Sequence, residues 1–164
     1  IPPMHVYFLE ILKTLGMMSD YEKWQRHLIN LVEAVNEKYP EGFEFPLWDF
    51  SGYNTVTIDE VPSEKESKRP MGWYYDVGHF KKKLGDLIQD RIFNYHDIGR
   101  VIPEDFGIQI NSKNINMYQF KQKRKRVQYM LANQEDIQEL SRKVDSEKKK
   151  IKEFDCDEVD TRKS

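Results

Sequence analysis

Phe43-Glu44-Phe45-Pro46-Leu47-Trp48-Asp49-Phe50 is the stretch on which the fold turns. It is short, aromatic and apolar, with Glu41-Gly42 turning the chain before it and Ser51-Gly52 after it, and this predicts a β-strand. Pro46 cannot donate to a ladder, so the strand should begin there or lie at a sheet edge. Upstream, Val6, Leu9, Ile11, Leu12 and Leu15 recur at helical spacing and end at Gly16. Ser19-Asp20 offers an N-cap for a second helix, with Glu22 in its first turn. Its apolar stripe reads Tyr21, Trp24, Leu28, Leu31, Val32 and Val35, and Tyr39-Pro40 stops it.

Downstream, residues 51–72 carry Ser51-Gly52-Tyr53-Asn54, two prolines and a charged patch from Glu64 to Arg69. They show no period, which predicts a long surface loop of the kind that often has a function. Trp73-Tyr74-Tyr75-Asp76-Val77-Gly78-His79 follows, leading into an amphipathic helix with Phe80, Leu84, Leu87, Ile88, Ile92 and Phe93. Ile98–Ile110, with Pro103 and two glycines, should wrap the surface. Ser112 or Asn114 can cap a further helix bearing Ile115, Tyr118, Val127, Met130 and Leu131. A last segment with Ile137, Leu140, Val144, Ile151 and Phe154 approaches a heptad seam. Both helices are expected to be peripheral, with Val127 and Leu131 facing inward and Lys121, Lys123, Arg124 and Lys125 exposed. The expected organisation is an α/β domain over 1–110, a helical extension over 111–154 and a flexible tail over 155–164.

Composition narrows the function classes. A chain of 164 residues with 38% hydrophobic and 13% aromatic residues can bury a core as one domain. The 26 basic and 28 acidic side chains balance, giving no bulk charge for nucleic acid or an anionic membrane. The single Cys156 excludes an internal disulfide and a multi-cysteine zinc site. No apolar run reaches transmembrane length, and neither a phosphate-cradling glycine loop nor an H-E-x-x-H motif occurs. No cofactor is expected. Ile1-Pro2-Pro3-Met4-His5 reads like the exit from a buried strand, so further sequence is expected upstream.

Asp76-x-x-His79 is the leading chemical candidate. In a hydrolytic triad an imidazole takes the proton of a serine, and a carboxylate holds that imidazole in one tautomer. Three residues across a turn at a helix entrance let Asp76 reach Nδ1 of His79 and leave Nε2 facing outward. The bland alternative is that Asp76 caps the helix beginning near Phe80. His5, Asp49 and Asn54 lie at what read as strand ends, where α/β sheets place ligands, and are candidate substrate-lining residues. Trp48, Trp73, Tyr74 and Tyr75 suit a core, or else a wall for a sugar ring. The run Lys121-Gln122-Lys123-Arg124-Lys125-Arg126 is read as a solvated helix face rather than a polyanion site, so no nucleic-acid partner is expected.

The block Pro46–Asn54, the loop after it, and Trp73-Tyr74-Tyr75-Asp76-Val77-Gly78-His79-Phe80-Lys81-Lys82 with Leu84-Gly85-Asp86 resemble the end of bacterial SGNH/GDSL-type hydrolases. In that family a D-x-x-H follows the last sheet strand and precedes the final helix. The resemblance covers about residues 1–110. It implies a partial three-layer αβα sandwich (flavodoxin-like) on a short parallel sheet, with Asp76 as orienter and His79 as general base. It also implies an acyl-ester substrate, such as an acylated carbohydrate, and a cell-envelope or periplasmic setting. The family's nucleophilic serine block and oxyanion glycine and asparagine have no counterpart in residues 1–164, so the rest of the same protein would have to supply them. The competing expectation is a non-catalytic interaction module using the aromatic surface and the basic helix.

Overall fold

A computed structural model of the chain describes residues 1–39, 42, 44–63, 66 and 68–150. Among them run α1 (Val6–Thr14), α2 (Met18–Asn36), β1 (Trp48–Asp49), β2 (Tyr74–Asp76), β3 (His79–Phe80), α3 (Lys82–Phe93), β4 (Ile108–Gln109), α4 (Ile115–Ala132) and α5 (Gln134–Lys150). β1 pairs antiparallel with β4, Trp48 opposite Gln109, and β2 pairs antiparallel with β3, Tyr74 opposite Phe80.

The expected three-layer αβα sandwich on a parallel sheet is therefore corrected to a helix-rich fold with two small antiparallel ribbons. Among the described residues of the aromatic run, only Trp48 and Asp49 form strand. Before them, the Phe45 backbone bonds to the Asn36 side chain, its N–H donating to Oδ1 (2.9 Å) and its C=O accepting from Nδ2 (3.1 Å). Pro46 then has no amide to offer a neighbour.

α1 starts where His5 Nδ1 accepts the Tyr7 N–H (3.2 Å), and it ends at Gly16, whose φ of +77° suits glycine. α2 begins after Met17, which supplies no side-chain cap, so Ser19 and Asp20 fall inside its first turn. The predicted α2 stripe is also corrected. Trp24, Leu31 and Val35 are exposed, while Gln25 and Ile29 are buried with Tyr21 beside them. Tyr21, Gln25 and Ile29 share a face at i, i+4 and i+8. Gln25 tolerates that face because its amide is fully engaged. Nε2 donates to Asp49 Oδ2 (2.7 Å) and Oε1 accepts from Gln119 (3.0 Å).

Residues 51–57 are the sharpest departure from the loop expectation. Ser51, Gly52, Tyr53, Asn54, Val56 and Thr57 are all buried. Phe50 and Val56 pack with Tyr74, Leu84, Leu87 and Phe106; Tyr53 packs with Val6 and Leu9; a third cluster joins Ile29, Ile110, Ile115 and Tyr118. The turn carries its own satisfaction. Asn54 Oδ1 accepts from the Val56 and Thr57 amides (both 3.0 Å), and Nδ2 donates to the Phe50 and Ser51 carbonyls (3.3 and 3.1 Å).

α4 is part of the core and not peripheral. Ile115, Tyr118 and Gln119 are buried, whereas Val127 and Leu131 point to solvent, contrary to expectation. Its inward face continues with Gln122, Arg126 and Tyr129, because buried partners on α1 and the 51–57 turn favour polar groups there. Lys121, Lys123 and Arg124 are exposed as expected, but Lys125 is half-buried against Asp105 (3.1 Å). α5 packs chiefly on α1, with Ile137 buried. Ile151, Phe154, Cys156 and the tail 155–164 lie outside the described residues. No helix among the described residues is long and apolar enough to cross a membrane.

Asn54→Ala would strip two buried amides and two carbonyls of their partners in one step. It is expected to lower unfolding stability by about 2–4 kcal/mol in urea or guanidinium titration. A loss below about 1 kcal/mol would show that the turn holds without Asn54.

Candidate functional site

Asp76 and His79 face each other across the β2–β3 turn, as residues of one cross-strand pair. His79 Nδ1 lies 2.9 Å from Asp76 Oδ1 and 3.0 Å from Oδ2. Asp76 Oδ1 also accepts the Gly78 N–H at 2.7 Å. That amide bond, and then the imidazole, hold the Asp76 carboxyl below its ordinary range. An ionised carboxylate only accepts, so Nδ1 must carry a proton, and in the neutral ring Nε2 is left as a free base. Asp76 therefore orients His79 and does not cap α3. The first residue before that helix is Lys81, and no side-chain cap bond forms there.

The hairpin is fixed from behind. Asp59 accepts the amides of Gly72 (3.1 Å), Trp73 (2.6 Å) and Tyr74 (3.3 Å). The buried Tyr74 hydroxyl donates to the Pro3 carbonyl (3.0 Å). Lys83 lies over the Trp73 ring at 4.6 Å. The pair itself faces solvent, with side-chain exposures of 79% for His79 and 62% for Asp76, so nothing in the described chain covers Nε2. The next residue, Phe80, helps wall a shallow cavity of about 440 Å³ with Ile1, Trp48, Phe50, Ile88 and Ile92. Asp76 and His79 stand outside that wall.

The structure does not bring His5, Asp49 or Asn54 to this pair's surface, since all three are buried. His5 Nδ1 accepts the Tyr7 amide, so Nε2 bears the proton and donates to the Asp59 carbonyl at 2.7 Å. Burial lowers the His5 pKa, against a smaller upward effect of the Asp59 carbonyl. Asp49 accepts from the Ser51 amide (2.8 Å), the Ser51 hydroxyl (2.6 Å) and Gln25. Asn54 closes the turn described above. Trp73 is half-buried, Tyr74 is core and Tyr75 is 71% exposed. Among the described residues no group of His, Cys, Asp and Glu is arranged to hold a metal.

One feature escaped the sequence reading. A cavity of about 350 Å³ opens between α1, α2, the 51–53 turn and α4. Its signal was present as Tyr118, Gln122 and Arg126 at i, i+4 and i+8, a polar face on an otherwise amphipathic helix. The chain matches no family model, no curated protein and no solved structure.

Two outcomes are expected. Near neutral pH, ¹⁵N NMR should find neutral His79 as the Nδ1–H tautomer, and Asp76→Asn should move it toward the Nε2–H form that dominates free histidine. Equal tautomer populations in both proteins would refute the orienting role. His5 has a lowered folded pKa, so the unfolded chain takes up its proton first. Stability should thus be complete above about pH 6.5 and fall as pH drops below it. His5→Asn, which keeps an acceptor for the Tyr7 amide, should flatten the fall in Tm between about pH 6.5 and 5. Parallel curves would exclude His5 as the titrating group.

Proposed function

We propose that Asp76 and His79 are the orienting acid and general base of a serine-type ester hydrolase or acyltransferase, whose nucleophile and oxyanion donors come from outside residues 1–164. The observation that carries this is the geometry: both Asp76 carboxylate oxygens lie within hydrogen-bond reach of His79 Nδ1, with Nε2 open. In this reading Nε2 removes the serine hydroxyl proton as the serine oxygen attacks the acyl carbonyl. The same proton then passes to the leaving alcohol as the ester bond breaks. Ser51 is a poor internal nucleophile, because it is buried and its hydroxyl bridges Asp49 and Tyr21. The likeness of Trp73–Asp86 to SGNH-type hydrolases favours acyl groups on carbohydrate or envelope polymers as substrate, and a cell-envelope setting.

A second reading, an interaction module, is favoured by one observation. Phe93, Tyr95, Ile98 and Val101 are all exposed within one nine-residue segment, at 76%, 58%, 107% and 86%, with polar residues between them. The basic helix adds little to it. Lys123, Lys125 and Arg126 are each ion-paired, to Glu22, Asp105 and Glu10, so the run is no concentrated positive patch.

Residues 1–164 alone should hydrolyse p-nitrophenyl acetate no faster than buffer and resist fluorophosphonate labelling. The intact polypeptide that carries them should label on one serine. There, His79→Ala should reduce kcat by roughly 10³–10⁴-fold and Asp76→Asn by a comparable factor. Hydrolysis by the intact protein that is indifferent to both substitutions would overturn the reading.

A further inference from the structure

We propose that the outer face of α4 docks an acidic amphipathic helix of a partner protein, in the manner of a two-stranded coiled coil. This surface is independent of the hydrolase reading. The inner face of α4, with Ile115, Tyr118, Gln119, Gln122 and Arg126, is taken up by the rest of the fold. On the far side Met117, Phe120, Val127 and Leu131 are each more than half exposed. Four large apolar side chains in one exposed row mark a contact surface.

Their spacing points to a helix as the occupant. With Arg124 between them, these residues alternate three and four apart along the chain. That is the spacing of a heptad seam, in which side chains of one helix fit between those of another. The stripe is also narrow. Asn116 and Lys123 border it on one side, Lys121 and Gln128 on the other, and all four are exposed. A seam of this width suits one partner helix, whereas a helix lying on a membrane surface presents a broader apolar face.

Charge then selects the partner. Two cations of the basic run are already matched, Lys123 to Glu22 (3.0 Å) and Lys125 to Asp105 (3.1 Å). Lys121 and Arg124 are exposed and make no ion pair among the described residues. Arg124 stands at the centre of the seam, and Lys121 stands at its border. A second copy of the chain is a poor occupant for that reason. Whether two such helices ran parallel or antiparallel, their Arg124 guanidinium groups would come together at the middle of the contact. A helix with Glu or Asp at the facing positions turns the same two cations into interhelical ion pairs, and so sets partner choice.

The surface is preformed. α4 spans Ile115–Ala132. Its inner side is tied by Gln119 to Gln25 (3.0 Å), by Gln122 to the Tyr53 amide (2.8 Å) and by Arg126 to Glu10 (2.7 Å). Docking therefore has to order the incoming helix but not the one that receives it.

The test is titration of ¹⁵N-labelled residues 1–164 with two synthetic peptides of about three heptads, both with Leu at the seam positions. One carries Glu at the flanking positions and at the seam position that meets Arg124; the other carries Lys at the same places. The Glu peptide is expected to bind with a Kd of roughly 10–100 µM and to shift amides along α4. The Lys peptide should bind at least about tenfold more weakly, and Arg124→Glu should reverse that preference. Phe120→Ser and Val127→Ser fall at exposed positions, so the fold survives them, and each should abolish the shifts. Equal binding of the two peptides, or no α4 shifts at roughly 1 mM of the Glu peptide, would overturn the proposal. So would α4 shifts caused by phosphatidylserine vesicles with none from the peptide, or a dimer in sedimentation that Phe120→Ser dissolves. In those cases the occupant is a membrane or a second copy. Shifts of the α4 amides in the free chain when Asp155, Asp157 and Glu158 are neutralised would also sink it, since the chain's own acidic segment would then hold the place of a partner.

Discussion

The fold hangs on the burial of a polar turn. Residues 49–57 leave a two-residue strand and pass directly between three apolar clusters, which ordinary loop backbone cannot do without losing its water partners. Asp49, Asn54 and Thr57 replace that water. The Asp49 carboxylate accepts three donors, Asn54 closes both ends of the turn, and the Thr57 hydroxyl donates to the Gly52 carbonyl. With its polarity met internally, the turn can send Phe50 and Val56 toward α3 and Tyr53 toward α1. The position of α2 and α4 then follows, because Gln25 and Gln122 are the outer partners of the same network.

How much of this was legible follows from which interactions are local. α1, α3, α4 and α5 were readable as helices because their apolar spacing is local, although the cap expected of Ser112 or Asn114 does not form and α3 starts at Lys82, after Phe80. The buried face of α2 was not, since Gln25 displaces Trp24 from the interior only when Asp49 and Gln119 are present to receive its amide. The same applies to α4, where Val127 and Leu131 yield the inner face to Gln122 and Arg126. Of the strand expected over 43–50, Trp48–Asp49 is formed, while Pro46 and the Asn36 side chain, which takes the Phe45 backbone bonds, hold 44–47 out of it. Residues 51–57 looked like a surface loop because Ser, Gly, Asn and Thr are loop residues; that they satisfy one another when buried is a tertiary fact.

At the candidate site the division is similar. The Asp76–His79 contact was legible because a three-residue separation in a tight turn brings the side chains within reach whatever surrounds them. The hairpin behind it was not, since its anchor, Asp59, lies in a segment without periodicity. His5, Asp49 and Asn54 drew attention as polar residues near apparent strand ends. Their hydrogen-bonding atoms turn inward, and each fastens a piece of backbone.

The exposure of the Asp76–His79 pair sets the terms of any function it has. A solvent-facing polar pair contributes little to folding, and Asp76–His79 differs from the Lys82–Asp86 and Lys143–Glu139 ion pairs in having its acid pinned by a backbone amide on a turn clamped by Asp59. Folding alone does not require such orientation. Yet a general base works best where water is excluded and the field of its carboxylate is unscreened. A pair so oriented but so wet needs a cover to act as a catalyst. The exposed Phe80 and Ile92, beside the half-buried Trp48, are the kind of surface against which a covering element could pack. Orientation is thus built into the hairpin, while on the proposed reading desolvation would come from the part of the protein that carries the serine.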